Sequence, residues 1–261
     1  MTIKTATLNG VAIIEIARPE KKNALTQAMY TAMADALAAA NTDAAVRAVL
    51  ITGQPGCFTS GNDIEDFMQR PPSASSDAGS DGSTSPVARF MQALLDCEKP
   101  VVAAVTGAAV GIGTTLLLHC DLVYVSDEAR LAMPFVSLGL VPEYASSLVV
   151  PLLMGHAKAA EKLLLGEPFS GSDAVDCGIA NAVLPAGEVA SHARRIAERF
   201  NHLPPSAVRE TKRLMRAPRR EQVQQVMAAE GALFAQRLRS PEAAEAFQAF
   251  FQKRRPDFSK F

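Results

Sequence analysis

The sequence predicts an α/β protein in which a largely parallel sheet is followed by a helical C-terminal region. Short apolar runs typical of strands alternate with longer runs, rich in alanine and leucine, that are typical of helices. Such alternation favours crossover connections between parallel strands. After Gly187 the patterns are helical. We therefore predict an α/β core over residues 1–185 and a helical region over residues 186–261.

The individual elements follow from local signals along the chain. The Asn9-Gly10 pair lies between two β-rich runs and predicts a hairpin. Thr26 is a predicted N-cap for a helix from Gln27 to Asn41. The other predicted strands are 47–52, 101–106, 121–126 and 129–133, and the other predicted helices are 87–97, 188–202, 206–217, 221–236 and 241–253, with one more that begins at Ile112.

Residues 71–86 interrupt this alternation. They consist mainly of Ser, Gly, Asp, Ala and Pro, with almost no large apolar side chain. Such a segment buries too little surface to order itself, and it is long for a simple connection. It is predicted to be a flexible loop, either a lid or a surface insert.

Composition excludes several classes of function. The 261 residues carry a formal net charge of -1, so no global electrostatic attraction to nucleic acid or anionic membrane is expected. The four cysteines have neither CxxC nor metal-ligand spacing, which indicates a reduced, intracellular protein whose thiols fill the core. No metal site is expected.

The uncharged stretch over residues 100–120 is long enough to span a membrane. Gly107, Gly111 and Gly113 interrupt it, however, so a buried strand followed by a buried helix is the better interpretation. The chain ends in Ser-Lys-Phe, which differs in its last residue from the peroxisomal Ser-Lys-Leu signal. We expect a cytoplasmic protein that does not bind membranes.

Two glycine-containing turns are candidates for ligand binding. Residues 57–67 follow a strand and open onto a helix, and Gly61 permits a backbone conformation that a side chain would hinder. Residues 106–115 form a second such turn that lacks the P-loop Gly-Lys-Ser/Thr ending. It is predicted to present the N–H groups and positive dipole end of a helix. Together the turns could donate two backbone N–H groups to one oxygen, as in an oxyanion hole.

Glu143 is the most informative single residue. It is a lone acid in the run over residues 134–147, among apolar and small side chains. One acid there suggests one-base proton transfer, whereas two would suggest addition of water. The competing interpretation is a solvated surface acid in a turn after Pro142. The first turn likewise has a simple alternative, a strand-to-helix connection capped by Asp63.

These two turns, the run over 134–147, and the segments 168–181 and 246–256 resemble the crotonase (enoyl-CoA hydratase/isomerase) superfamily over nearly the whole chain. Among its branches the sequence is most similar to the peroxisomal-type Δ3,Δ2-enoyl-CoA isomerases. The resemblance implies a crotonase (ClpP/crotonase-like) fold, with repeated ββα units in a spiral and a helical C-terminal trimerisation region. It also implies a homotrimer or a dimer of trimers.

The resemblance further implies roles for individual residues. The backbone N–H groups of Asn62 and Ile112 would form the oxyanion hole, and Glu143 would be the general acid/base. The two glutamates of the family's hydratases align with Thr115 and Phe135, which cannot replace them. The implied activity is Δ3,Δ2-enoyl-CoA isomerisation in fatty-acid β-oxidation.

The implied partner is an acyl-CoA thioester substrate, and no separate cofactor is needed because coenzyme A is part of that substrate. Lys253 is a further candidate, with a possible contact to a neighbouring subunit. The residues implied in binding substrate and coenzyme A are Lys22, Ala24, Leu25, Ser60, Gly61, Asn62, Asp63, Ile64, Gly111 and Ile112.

Three alternatives stay open at this point. Another crotonase-fold activity, such as hydration, is possible, and so is a non-catalytic protein that binds CoA esters or acts as a scaffold. Glu143 discriminates, because a scaffold has no need of it. The third is nucleic-acid binding through basic residues of the helical region, although such residues usually form a solvated or subunit-contact face. They are Arg209, Lys212, Arg213, Arg216, Arg219 and Arg220.

Overall fold

A computed structural model describes residues 2–54, 56–69 and 85–261 of the chain. Most of the predicted loop over residues 71–86 lies outside the described residues. The described strands are β1 (Ile3–Leu8), β2 (Val11–Ile16), β3 (Ala48–Gly53), β4 (Cys57–Thr59), β5 (Val101–Val105), β6 (Ala108–Val110), β7 (Leu122–Ser126), β8 (Arg130–Ala132), β9 (Phe169–Ser170) and β10 (Ala182–Leu184).

The described helices confirm the mixed α/β class. They are α1 (Gln27–Thr42), α2 (Ile64–Gln69), α3 (Pro86–Asp96), α4 (Ile112–Thr115), α5 (Ser146–Met154), α6 (His156–Leu164), α7 (Gly171–Asp176), α8 (Ala186–Arg199), α9 (Pro205–Arg237) and α10 (Pro241–Phe251). The predicted N-cap of α1 is confirmed, because the Thr26 side chain accepts a hydrogen bond from the backbone N–H of Met29.

Six strands form the larger sheet, in the order β1-β2-β3-β5-β7-β10. The β1–β2 pair is antiparallel and the other pairs are parallel. Asn9 and Gly10 join β1 to β2 with φ angles of 47° and 72°. Positive φ at both central residues is what a two-residue hairpin turn requires, so the predicted hairpin is confirmed.

The smaller sheet positions the two glycine-containing turns. Its order is β4-β6-β8-β9, and β4, β6 and β8 run parallel. Thr59 near the end of β4 is in register with Ala109 of β6. Because neighbouring parallel strands end at the same edge of a sheet, the turns that follow β4 and β6 lie side by side.

Helices cover both faces of the larger sheet. On one face, α1 and α3 pack with β2, β3 and β5 in the main apolar core, whose largest fully buried side chains include Tyr30 and Phe90. On the other face, α8 buries Val189, Ala193 and Ala197 against the same sheet. Such two-sided cover explains why the central parallel strands are apolar throughout. The predicted boundary at residue 185 falls directly before α8.

The prediction of separate helices over 206–217 and 221–236 was wrong, because α9 is one helix from Pro205 to Arg237. Pro218 lies inside it and lacks the N–H that would continue the hydrogen-bond ladder, which is why the sequence predicted a break. Contacts on both sides of Pro218 hold the helix. Before it, Lys212 pairs with Asp121, and after it, Val223 is buried against Ala145.

Asp121 anchors α9 to the sheet. Its Oδ2 accepts hydrogen bonds from the backbone N–H of Val101 at 2.7 Å and from Lys212 Nζ at 2.6 Å. Its Oδ1 accepts a bond from Arg216 Nη2 at 3.1 Å. Arg216 also donates to the carbonyl of His119 at 2.7 Å. One carboxylate therefore ties β7, β5 and α9 together.

Much of the basic character of α9 is neutralised within the chain. Besides Lys212 and Arg216, Arg213 pairs with Glu210, and Arg220 pairs with Asp96. These pairs favour the interpretation of this face as a packing and solvated surface rather than as a nucleic-acid site.

The remaining predictions from composition have mixed outcomes. The four cysteines are free thiols, of which Cys97 and Cys177 are buried while Cys57 and Cys120 are half-buried, so two of the four are not fully in the core. The stretch over 100–120 contains the predicted strand, β5, and the predicted helix, α4, but between them lies a short strand, β6, that was not predicted. In the described part of the chain, no helix has the length and apolar character needed to cross a membrane.

Gly107→Ala is expected to lower the free energy of unfolding by at least about 2 kcal/mol. Gly107 links β5 to β6 with φ +65°, and an added Cβ would lie 2.0 Å from the carbonyl oxygen of Gly56. Gly187→Ala in α8 is the matched control, because its Cβ would meet nothing within 4 Å. That variant should be neutral or more stable by up to about 1 kcal/mol. Urea denaturation measures both changes, and equal effects would contradict the account.

Candidate active site

The first turn after β4 is shaped by Gly61 and Asp63. Gly61 has φ +93°, and an added Cβ would lie 3.0 Å from the carbonyl oxygen of Val110, so the turn approaches the end of β6 closely. Asp63 Oδ1 accepts the N–H of Asp66 at 3.2 Å, which confirms the predicted cap of α2. Its Oδ2 accepts a bond from Arg18 at 2.6 Å.

Electrostatic interactions of Asp63, in addition to the backbone conformation, fix this turn. Burial raises the pKa of Asp63, but the bonds from Arg18 and Asp66 outweigh it and hold that pKa below its ordinary value. Asp63 is therefore an ionised structural group at neutral pH. Its predicted place in the substrate-binding set stays a prediction, and any direct contact would compete with Arg18.

The second turn presents backbone N–H groups at the start of α4. The N–H of Gly111 donates to the carbonyl of Ala132 at 2.8 Å, and α4 begins at the next residue, Ile112, as predicted. The α-helix is one turn long and continues as a 3-10 turn over Leu116–His119. The predicted positive end of a helix dipole is therefore weak, and local N–H groups are what this turn offers.

Asn62 and Ile112 have backbone N–H groups with no hydrogen-bond acceptor among the residues that the structure describes. Because β4 and β6 are parallel neighbours, the two residues follow adjacent strand ends. This is the arrangement that an oxyanion hole requires, although their roles stay a prediction.

The Lys22–Leu25 segment runs along the first turn. The carbonyl of Lys22 accepts the N–H of Ser60 at 3.1 Å, and Leu25 bonds to Gly61 and Asp63 through its own backbone groups, each at 2.8 Å. Lys22 is exposed, whereas the side chains of Ala24 and Leu25 are buried. These contacts bring the predicted coenzyme A residues together. The contact of Lys22 with a phosphate stays a prediction.

Two other predicted binding residues, Ile64 and Lys253, lie in different parts of the chain. Ile64 is half-buried at the start of α2, directly after the first turn. Lys253 is exposed and follows α10, with φ +54°. Contact of either residue with a ligand stays a prediction.

Glu143 lies between β8 and α5 and is buried, with only 7% of its surface exposed. The interpretation of this residue as a solvated surface acid was therefore wrong. Its Oε1 atom is buried and has no hydrogen-bond partner in the described part of the chain. Burial first, and the negative charge of Glu230 second, raise the pKa of Glu143 to about 8.

Tyr30 is hydrogen-bonded to the first turn, and the charge of Glu143 acts on it. Its hydroxyl donates to Asn62 Oδ1 at 2.5 Å. Burial, followed by the charge of Glu143, raises the pKa of Tyr30 well above its ordinary value, so the phenol stays protonated. A role for Tyr30 was not predicted, because a tyrosine on the apolar face of α1 carries no signal beyond that of a core aromatic.

Glu230 was also missed. It lies on α9, and its carboxylate accepts the backbone N–H groups of Ala145 at 2.6 Å and Ser147 at 2.9 Å. A signal was available in the sequence, since Glu230 is seven residues after Val223 and four before Phe234, on the face of the helix that is buried.

The positions aligned with the hydratase acids are apolar or neutral. Thr115 is buried and its hydroxyl oxygen has no partner among the described residues. Phe135 is buried against Phe234, with ring centroids 6.4 Å apart. Neither residue supplies a base near Glu143.

Among the described residues, the geometry supports neither a catalytic role for His119 nor a metal site. His119 stacks on Tyr144 at 3.9 Å and contacts its carbonyl through Nε2 at 2.8 Å. Burial lowers the pKa of His119 to about 4, so it is neutral and structural. Within the described ranges, no group of three or more His, Cys, Asp or Glu side chains is arranged to hold a metal ion.

A cavity of about 750 Å³ lies elsewhere, between α9 and the residues that follow α4. Its lining is mostly apolar, with Arg219 and Arg220 among the charged members. Asn62, Ile112 and Glu143 do not line it, so it is separate from the candidate site.

Comparison with known proteins identifies the family. The enoyl-CoA hydratase/isomerase family model matches residues 6–260. The chain belongs to this family. A structure of Pseudomonas aeruginosa OdaA is 58% identical, with a TM-score of 0.90 over 95% of this chain and 98% of that chain. The enoyl-CoA hydratase/isomerase of Pseudoalteromonas atlantica T6c is 40% identical, with a TM-score of 0.92 over 99% of this chain and 100% of that one. These matches confirm the crotonase fold.

Human enoyl-CoA delta isomerase 2 is 34% identical over 253 residues, or 97% of this chain. The chain spans 64% of that protein's length, and 62% of the length of its rat counterpart. The similarity agrees with the resemblance to the isomerase branch. The family contains both hydratases and isomerases by name, so membership alone leaves the reaction open.

Glu143→Gln should become increasingly more stable than the native chain as pH rises. A carboxyl whose pKa is 4.5 when unfolded and about 8 when folded favours folding only while it is protonated. That contribution is complete below about pH 4.5 and is lost between there and about pH 8, with a slope of at most about 1.4 kcal/mol per pH unit. Urea denaturation of both proteins from about pH 5 to about pH 9 measures the difference. A difference that does not change with pH would contradict the burial of Glu143.

Proposed function

We propose that this protein is a Δ3,Δ2-enoyl-CoA isomerase that converts a 3-enoyl-CoA into the trans-2-enoyl-CoA during fatty-acid β-oxidation. The observation that carries the proposal is Glu143, a buried carboxyl group with a pKa of about 8 and an oxygen without a partner among the described residues. Tyr30, on which the charge of Glu143 acts, donates a hydrogen bond to Asn62 of the first turn, and the Asn62 N–H has no acceptor among those residues either.

The proposed reaction needs one base and two N–H donors. Glu143 takes a proton from C2 of the substrate, and the C–H electrons form a dienolate whose negative charge lies on the thioester oxygen. The N–H groups of Asn62 and Ile112 stabilise that charge, at about 3 kcal/mol of barrier for one such donor. Glu143 then returns the proton to C4, and the double bond moves from C3–C4 to C2–C3.

The pKa of Glu143 suits both proton transfers, removal of the proton from C2 and its delivery to C4. An ordinary glutamate is too weak a base to take the C2 proton efficiently, and a much stronger base would not release it to C4. Burial without a stabilising cation raises the basicity of the carboxylate, and the group stays partly ionised near neutral pH.

Hydration is the less favoured reaction. The family's hydratases use two acids to hold and activate water, and here those positions hold Thr115 and Phe135. A threonine hydroxyl is not a general base near neutral pH, and a phenyl ring cannot bind water. Of these three residues, only Glu143 can transfer a proton. One group that transfers a proton is all that isomerisation requires.

The remaining parts of the proposal concern binding and assembly. Lys22 would meet a phosphate of coenzyme A as a point charge, with Ser60, Gly61 and Ile64 beside the pantetheine and adenine. The reaction would use no metal and no further cofactor. We propose a cytoplasmic homotrimer or dimer of trimers, in keeping with the resemblance to the crotonase superfamily.

The activity is tested with two substrates followed separately. The protein is incubated with 3-hexenoyl-CoA, and formation of the conjugated thioester is followed by ultraviolet absorbance. In a second reaction trans-2-hexenoyl-CoA is supplied, and loss of conjugation reports hydration. Conjugation without hydration supports the proposal, whereas hydration alone defeats it. Binding of both esters without either reaction would indicate a scaffold.

Glu143→Gln is expected to lower kcat for isomerisation by about 10²–10⁴-fold, because the amide cannot accept the C2 proton. KM should change little, since the predicted coenzyme A contacts lie at the first turn and at Lys22. Steady-state kinetics with 3-hexenoyl-CoA measure both constants. Glu128→Gln is the matched control, because Glu128 is exposed and removal of its charge should leave kcat unchanged. Near-normal turnover by Glu143→Gln would refute the assignment of the base.

A further inference from the structure

The loop that carries Glu143 has an unusual backbone. Tyr144 and Ala145, the two residues after Glu143, have φ angles of 60° and 56°. Consecutive non-glycine residues in the left-handed region are disfavoured, above all when one carries a bulky ring. Such a conformation persists only where the surroundings hold it.

Glu230 supplies two of the hydrogen bonds that hold this loop. Its Oε2 accepts the N–H of Ala145 at 2.6 Å and its Oε1 accepts the N–H of Ser147 at 2.9 Å. The N-cap of α5, Ala145, has no side chain that could cap the helix. A carboxylate from α9, 85 residues away in sequence, therefore does so.

The form of Glu230 that makes these contacts is the ionised one. Each of its oxygens accepts one backbone N–H, and a carboxylate is an acceptor at both oxygens whereas a carboxylic acid is also a donor. Its surface is only 8% exposed. Burial raises the pKa of Glu230, and the bonds from Ser147 and Ala145 oppose that rise.

Two neutral groups also lie close to the Glu143–Tyr144 pair. Tyr30 of α1 keeps its proton because burial raises its pKa. His119, after α4, is neutral above about pH 4. Among the described residues, Glu230 is thus the one whose charge acts on Glu143.

We propose that Glu230 is a positioning residue for the isomerisation, which fixes the backbone directly after Glu143 and keeps a second negative charge beside Glu143. The proposal rests on the proposed function, since it assumes that Glu143 is the base. Glu230 does not touch the substrate. It acts by setting the orientation and the basicity of Glu143.

Two substitutions separate the effect of the Glu230 charge from the effect of its hydrogen bonds. Glu230→Gln keeps the length of the side chain but removes the charge and replaces one acceptor with an amide NH₂. It should lower kcat at least about tenfold and move the inflection of the kcat/KM pH profile to lower pH by about one unit, with KM little changed. Glu230→Asp keeps the charge but is one methylene too short to reach both N–H groups. It should lower kcat with the inflection near that of the native protein.

Glu221→Gln is the matched control, because Glu221 lies exposed on the same helix. It should leave kcat, KM and the inflection unchanged. If both Gln variants, at positions 230 and 221, behave like the native protein, the inference is overturned while the proposed function stands. Should Glu230→Gln fail to fold, a native kcat in Glu230→Asp would overturn the inference.

Titration of Glu143 without substrate distinguishes this inference from the proposed function. Infrared difference spectra, native protein minus Glu143→Gln, follow the protonated carboxyl band of Glu143 as pH changes. The same subtraction in the Glu230→Gln background should show a midpoint about one unit lower. If the native protein does not isomerise but the midpoint shifts, the proposed function fails and the coupling holds. An unshifted midpoint would overturn the influence of Glu230 on Glu143.

Discussion

Burial of the Glu143 carboxyl group is the constraint on which the candidate site depends. Removal of a carboxylate from water penalises its charged form, and no cation nearby offsets that penalty among the described residues. The same low-dielectric surroundings keep Tyr30 protonated and His119 neutral. Of Glu143, Tyr30 and His119, only Glu143 therefore has a pKa near neutral pH, and that favours a reaction with a single proton carrier.

Rigid elements on two sides keep this buried acid in place. The parallel pair β4 and β6 brings the Asn62 and Ile112 turns to one sheet edge. On the other side, α9 is anchored at Lys212 through Asp121 and contacts the Glu143 loop through Glu230. The two anchor points are about 27 Å apart along the helix. The C-terminal helix is thus part of the site's support, although it contributes no base.

The sequence predicted the features that depend on local chemistry. The Asn9-Gly10 hairpin, the Thr26 cap and the Asp63 cap each follow from one or two neighbouring residues, and the structure has all three. The predicted break near Pro218 was wrong for the opposite reason. Contacts with residues that are distant in sequence keep α9 continuous across Pro218. Tyr30 and Glu230 were missed because their partners are 32 and 85 residues away, and although the position of Glu230 on the buried face of α9 was readable, its partner was not. Glu143 was found through its apolar neighbours, but its burial became evident only from the fold.

The most direct test of a single proton carrier follows the proton itself. 3-Hexenoyl-CoA with both C2 hydrogens replaced by deuterium is converted in ordinary water, and the product is analysed by mass spectrometry and NMR. If Glu143 takes a deuteron from C2 and returns it before exchange with solvent, the product carries deuterium at C4 as well as at C2. Product that forms with only hydrogen delivered to C4 would contradict the account, because a buried carboxyl group that is shielded from solvent should return the deuteron it took.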